Sequence, residues 1–130
     1  DNWGAGAIVY ALVEGLVGIK DTGVSFDSVK ISPRWSAAGT KRAEACIAYP
    51  SSGGYAAYEY SEEKAHIKIA AAASAHKTEL KILVPEKRRP GKLFVDDEER
   101  EYKILKVGKS TYACFSLAGV SAKNIKLELG

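Results

Sequence analysis

The spacing of apolar and polar residues divides this chain into two unlike parts. From Trp3 to Ile19 the apolar positions show no alternation, and a single charge, Glu14, interrupts them. Val, Ile, Leu, Tyr and Trp fall on every side of a helical wheel there. A helix apolar all round is buried all round. The stretch predicts an α-helix of about 17 residues, about 25 Å long at ~1.5 Å per residue. Asp1 or Asn2 can cap its start through a side-chain oxygen, and Gly18 can end it in the left-handed conformation. Gly4, Gly6 and Gly15 each cost up to about 1 kcal/mol relative to alanine inside a helix. Close approach of neighbours on several sides offsets that cost.

After a turn at Lys20-Asp-Thr-Gly23 the period changes to two. Phe26 to Ser32 predicts a strand with Val29 and Ile31 on one face and Lys30 on the other. Pro33 ends it, and Trp35 follows in a loop. Ala43 to Tyr49 and Tyr55 to Tyr60 predict two strands joined through Pro50-Ser-Ser-Gly-Gly54. Ala65, Ile67 and Ile69 form an inward row against His66 and Lys68, and Ala70 to Ala75 reads as strand end and loop. Thr78 to Val84 alternates, with Leu80, Ile82 and Val84 inward. Pro85 to Gly91 is a loop. Lys92–Asp96, Glu101–Val107, Ser110–Leu117 and Lys123–Leu129 complete the series. Alternation with one wet face predicts antiparallel sheet, and about eight short strands predict a sandwich.

The fold expected is therefore mainly β: an antiparallel sandwich over residues 23–130, preceded by one N-terminal α-helix over 1–22. One sheet face covers only one side of a helix. The helix should find its remaining neighbours in a helical domain of the same polypeptide, or in a second copy of the chain.

Composition changes this picture little. Hydrophobic residues make up 46% of the 130, and 19 basic residues against 16 acidic ones are well mixed along the chain. That balance points away from nucleic acid and from an anionic membrane surface. Glu14 and the glycines make the first stretch a poor membrane span, and Asp1-Asn2 a poor start for a signal peptide. Cys46 and Cys114 read as buried free thiols.

Candidate chemistry is sparse. Asp96-Asp-Glu-Glu99 with Glu101 is the densest acidic cluster, but glycoside hydrolysis needs carboxyls facing each other across a cleft. Neighbours at a hairpin tip splay into water. Lys87-Arg-Arg89 with Lys92 reads as a solubilising loop. His66 and His76 have no Cys or His partner at zinc-ligand spacing, and no nucleophile motif is present. No catalytic residue, metal or cofactor is expected. Tyrosines at 49, 55, 58 and 60 flank one hairpin, with Trp35 upstream. Tyr55 and Tyr58 could stack on sugar rings, as an independent carbohydrate-binding module would require. Asn2 and Trp3 either anchor the helix or stand at the rim of a cleft.

Three stretches carry a likeness. Asp1-Asn-Trp-Gly-Ala-Gly-Ala7, then Tyr10 to Ile19, then the Val29-Lys-Ile-Ser-Pro-Arg-Trp35 strand resemble the C-terminal end of large (α/α)6-barrel glycoside hydrolases. The α-L-rhamnosidase-like enzymes of family 78 and their relatives are the nearest. Leu80-Lys-Ile-Leu-Val-Pro85 and Leu93-Phe-Val-Asp-Asp-Glu98 are similar too, with Asp97 where such sandwiches often carry glycine. The resemblance implies a last barrel helix followed by an accessory sandwich that packs on the barrel. It also implies that acid and base lie in barrel loops before this segment, so the chain alone should be inactive.

Overall fold

The computed structural model describes residues 16–23, 27–49, 54–118 and 122–130. Eleven strands are present among them. In chain order they are β1 (Ile19–Asp21), β2 (Ser28–Ile31), β3 (Arg42–Tyr49), β4 (Gly54–Glu62), β5 (His66–Ala73) and β6 (Lys77–Leu83). β7 (Pro90–Val95), β8 (Glu98–Arg100), β9 (Lys103–Val107), β10 (Ser110–Ala118) and β11 (Lys123–Leu129) follow. A single turn of 3-10 helix, Trp35–Ala38, lies between β2 and β3.

The strands form two sheets, in the orders β1-β2-β6-β10-β9 and β3-β4-β5-β11-β7-β8. Every pairing is antiparallel except β2 with β6, which run parallel. The two strands are distant in sequence because β3, β4 and β5 belong to the other sheet. Inward rows from both sheets meet in one core: Val29, Ile31, Leu80 and Ile82 face Ile67, Ile69, Leu93 and Leu127. Each side chain of this size contributes roughly 1.5–3 kcal/mol when fully buried. The alternation of Thr78–Val84 and of Ile125, Leu127 and Leu129 is the direct imprint of that core.

Two departures from the sequence reading concern where strands begin. Ile19–Asp21, expected as helix end and turn, is strand β1, paired with β2 from Ile19 opposite Ile31 to Asp21 opposite Val29. Ile19 and Val17 are both buried in the core, so apolar residues here serve a sheet edge. Among the described residues of the predicted N-terminal α-helix only Leu16 and Val17 are helical, too few to support it; positions 1–15 of that stretch lie outside the described residues. Gly18 does adopt the left-handed conformation, at φ 67°.

The second departure is at Glu98–Val107, expected to be turn and a single strand. Glu98–Arg100 pairs with β7 in one sheet, and Lys103–Val107 pairs with β10 in the other. The chain changes sheets at Glu101-Tyr102. The Tyr102 hydroxyl fixes this step by donating to the Gly91 carbonyl at 2.6 Å. The cysteines also differ: both are free, but Cys46 is exposed on an outer face and Cys114 half-buried.

Candidate functional site

The predicted site residues do not come together. Tyr55 and Tyr58 are three apart on β4, so strand geometry sends them to opposite faces. Tyr55 is 39% exposed on the outer face of the six-stranded sheet, and Tyr58 is 3% exposed in the core. Asn2 and Trp3 lie outside the described residues.

Tyr58 is instead part of a joint. The Trp35 indole Nε1 donates to the Tyr58 hydroxyl at 2.9 Å, and that hydroxyl donates to the Val17 carbonyl at 2.6 Å. Burial pushes the Tyr58 phenol up to about 12, opposed by the indole donor. Neighbouring backbone bonds run the same way: Ser32 N–H to the Gly18 carbonyl and Arg34 N–H to the Leu16 carbonyl, at 2.8 and 2.9 Å. Three donors, the Tyr58 hydroxyl from β4 and two backbone amides from the segment after β2, thus grip Leu16–Gly18, where the chain enters the sandwich, and Trp35 holds the Tyr58 hydroxyl in place.

The charged clusters also have structural partners. Asp96 and Asp97 form the two-residue tip of the β7–β8 hairpin, both at positive φ. Asp96 accepts from the Asn124 backbone N–H at 2.9 Å and pairs with Lys123 at 3.3 Å. That backbone donor, with Lys123, holds its carboxyl below the usual carboxylate range. Arg88 does more than solubilise its loop. Its guanidinium donates to the carbonyls of Gly130, Lys64 and Leu129, tying the β7 approach to β11 and to the β4–β5 turn. His66 pairs with Glu63 at 3.2 Å, and among the described residues no three His, Cys, Asp or Glu side chains are grouped to hold a metal ion.

What the sequence reading missed is a groove of about 840 Å3 on the outer face of the six-stranded sheet. Strand register builds it in rows. Glu44 stands opposite Glu59, and Glu59 opposite Ala70, which faces Asn124 on β11. One row along, Arg42, Ser61, Lys68, Lys126 and Phe94 follow each other across five strands. In the opposite direction the floor is small, Cys46, Ala57 and Ala72, and a second hollow of about 600 Å3 continues the first. Lys126 covers part of Phe94, its Nζ 5.0 Å from the ring centroid. Arg42, Glu44, Glu59 and Lys68 make no side-chain hydrogen bond or ion pair among the described residues. Outward polar residues at every second position were visible in the sequence. Their assembly into rows required a strand order that periodicity does not carry.

The carboxylates of this surface do not have the arrangement that glycoside hydrolysis needs. Glu44 and Glu59 stand side by side on adjacent strands, pointing the same way. Glycoside hydrolysis needs two carboxyls facing each other across the scissile bond. Cys114 is flanked by Lys81 and Lys30, yet burial raises its thiol above the ordinary range, the reverse of an activated nucleophile.

No family model matches the chain, and no curated protein matches it. Two solved structures share its fold. An alpha-L-rhamnosidase from Dictyoglumus thermophilum superposes with a TM-score of 0.58 at 14% identity, over 87% of this chain and 12% of that one. A GH127 beta-L-arabinofuranosidase from Geobacillus stearothermophilus T6 also gives 0.58, at 11% identity, over 97% of this chain and 18% of its own. The likeness is one of fold. This chain therefore spans less than a fifth of the length of either enzyme.

Proposed function

We propose that this chain is an accessory β-sandwich domain of a glycoside hydrolase, with a structural role beside a catalytic domain. One observation carries the reading: nearly the whole fold recurs as a small part of two large glycoside hydrolases. The grip on Leu16–Gly18 supports it, because those bonds fix the backbone at the junction between the apolar stretch and β1. In this reading Trp3–Val17 is the last helix of a helical barrel, covered by that barrel's other helices. The domain is catalytically silent, and the parent hydrolyses glycosidic bonds, with α-L-rhamnosides as the first substrates to try.

The test begins with the reading frame around the Asp1 codon, expressed whole and without residues 19–130. The whole product should hydrolyse aryl glycosides, and the truncated one should lose solubility or melt earlier. The 130-residue chain alone should give no turnover. Turnover by that chain, or a frame with no helical domain, overturns the proposal.

A further inference from the structure

We propose that the outer face of the six-stranded sheet binds a neutral oligosaccharide laid along β5. The proposal goes beyond the accessory role and does not depend on it, since it concerns a surface lined by described residues between Arg42 and Lys126.

Three features select that occupant. The first is shape. Ala70 and Ala72 form the floor of a trough, with Glu44 and Glu59 on one wall and Asn124 on the other. The two hollows share Glu44, Glu59, Ala70 and Asn124, so they are one continuous channel rather than separate pits. Tyr55 lies on the same face four residues along β4 from Glu59, about 14 Å at ~3.4 Å per residue. With Phe94 at the other end, the channel is long enough for several sugar rings and has an aromatic side chain near each end.

The second feature is charge. Arg42, Lys68 and Lys126 line the larger hollow together with Glu44, Glu59 and Asp97, three cations against three carboxylates, and Lys123 at the smaller hollow is paired with Asp96. A polyanion or polycation would meet as much repulsion as attraction there. A hydroxylated neutral chain meets none, because each hydroxyl can donate to a carboxylate and accept from an ammonium or guanidinium group.

The third is unused bonding capacity. Glu44 directly opposes Glu59, and Lys68 directly opposes Lys126. Like charges directly opposed across strands are destabilising. A ligand whose hydroxyls bridge each pair relieves that repulsion. It also fills the channel over alanines, whose small side chains let a ring approach the sheet.

The test is a titration of the 130-residue chain with neutral tetrasaccharides, xylotetraose, cellotetraose and α-1,5-arabinotetraose, followed by amide chemical shifts. At least one should bind with a submillimolar Kd and shift amides in β3, β4, β5 and β11. Ala70→Arg, which fills an exposed floor position, should abolish these shifts while leaving the rest of the spectrum in place. Glu59→Gln should weaken binding about tenfold, the loss of about 1.4 kcal/mol. Tyr55→Ala should weaken it without unfolding the sheet. No shifts with any neutral tetrasaccharide, or shifts that persist in Ala70→Arg, overturn the proposal. So does tighter binding of tetragalacturonate, or a dimer that occupies this face and is broken by Ala70→Arg. None of these outcomes bears on the accessory role, which is read from the parent frame.

Discussion

Tyr58 and Val17 are 41 residues apart in sequence and joined at 2.6 Å, phenol to carbonyl. The bond ties an inner strand of the six-stranded sheet to the segment that leads into the edge strand of the other. It therefore holds the two sheets together at the end where the chain enters. Because the hydroxyl is buried and also accepts from Trp35, removing it strands two groups at once. Tyr58→Phe keeps the ring packing and should cost about 1–3 kcal/mol, the loss expected for buried hydrogen-bonding groups left unpaired. Urea unfolding measures it. A cost near zero would mean that water replaces the phenol and that the joint is not dry.

The same phenol makes stability depend on alkaline pH. Its folded-state value of about 12 lies above the unfolded value of about 10. A group raised in this way stabilises the fold fully below the unfolded value. The contribution is lost as pH rises from about 10 through about 12. Burial raises Tyr60 too, helped by the nearby Glu62 carboxylate, so its contribution fades in the same direction. Stability should therefore fall across this window, and Tyr58→Phe should fall less than the parent. Parallel curves for the two proteins would remove Tyr58 from the account.

Gly18 is required for a reason independent of its neighbours' chemistry. It sits at φ 67°, and a Cβ there would lie 1.8 Å from the Ser32 carbonyl oxygen. Left-handed backbone alone costs a non-glycine residue about 1–2 kcal/mol, and the obstacle is main chain that cannot rotate away. Gly18→Ala should cost about 3 kcal/mol or more, placing it among the severe single substitutions. Thermal melting of the variant checks this. Gly108→Ala is the control, since it shares a positive φ of 59° but has open space around the site. It should show the strain without the collision.

How far the sequence foretold this structure depended on the kind of information each feature needs. Local alternation was enough for the inward rows of β5, β6 and β11, because a half-buried strand writes its burial at every second position. Gly18 as a left-handed stop was legible for a similar reason, since only one backbone position is involved. Ile19–Asp21 was not. Three residues are too few for a period, and their partner Val29–Ile31 lies across a turn. Arg88 was misread because charge in a loop looks the same whether the guanidinium meets water or three carbonyls. Tyr58 was grouped with Tyr55 by type, although an odd separation on one strand already puts them on opposite faces. The channel over Ala70 stayed hidden because its walls come from β3, β4 and β11, and only the sheet order makes them neighbours.

The β7–β8 hairpin offers the opposite kind of substitution. Asp96 and Asp97 both have positive φ, 49° and 67°, the conformation of a type I′ turn, in which glycine is favoured at the second position. Asp96 has compensation in its bonds to the Asn124 N–H and to Lys123. Asp97 has no such partner among the described residues, so its side chain adds only the strain of a Cβ in left-handed backbone. Asp97→Gly should therefore raise stability by about 0.5 kcal/mol, somewhat less than the full left-handed penalty because aspartate tolerates this region better than most residues. The glycine's extra freedom in the unfolded chain subtracts from the same gain. Asp96→Gly should do the reverse, because it discards the carboxylate that caps Asn124. Paired melts of the two variants decide the matter. If both move in the same direction, turn strain does not govern this hairpin, and the bonds of Asp96 have been given too much weight.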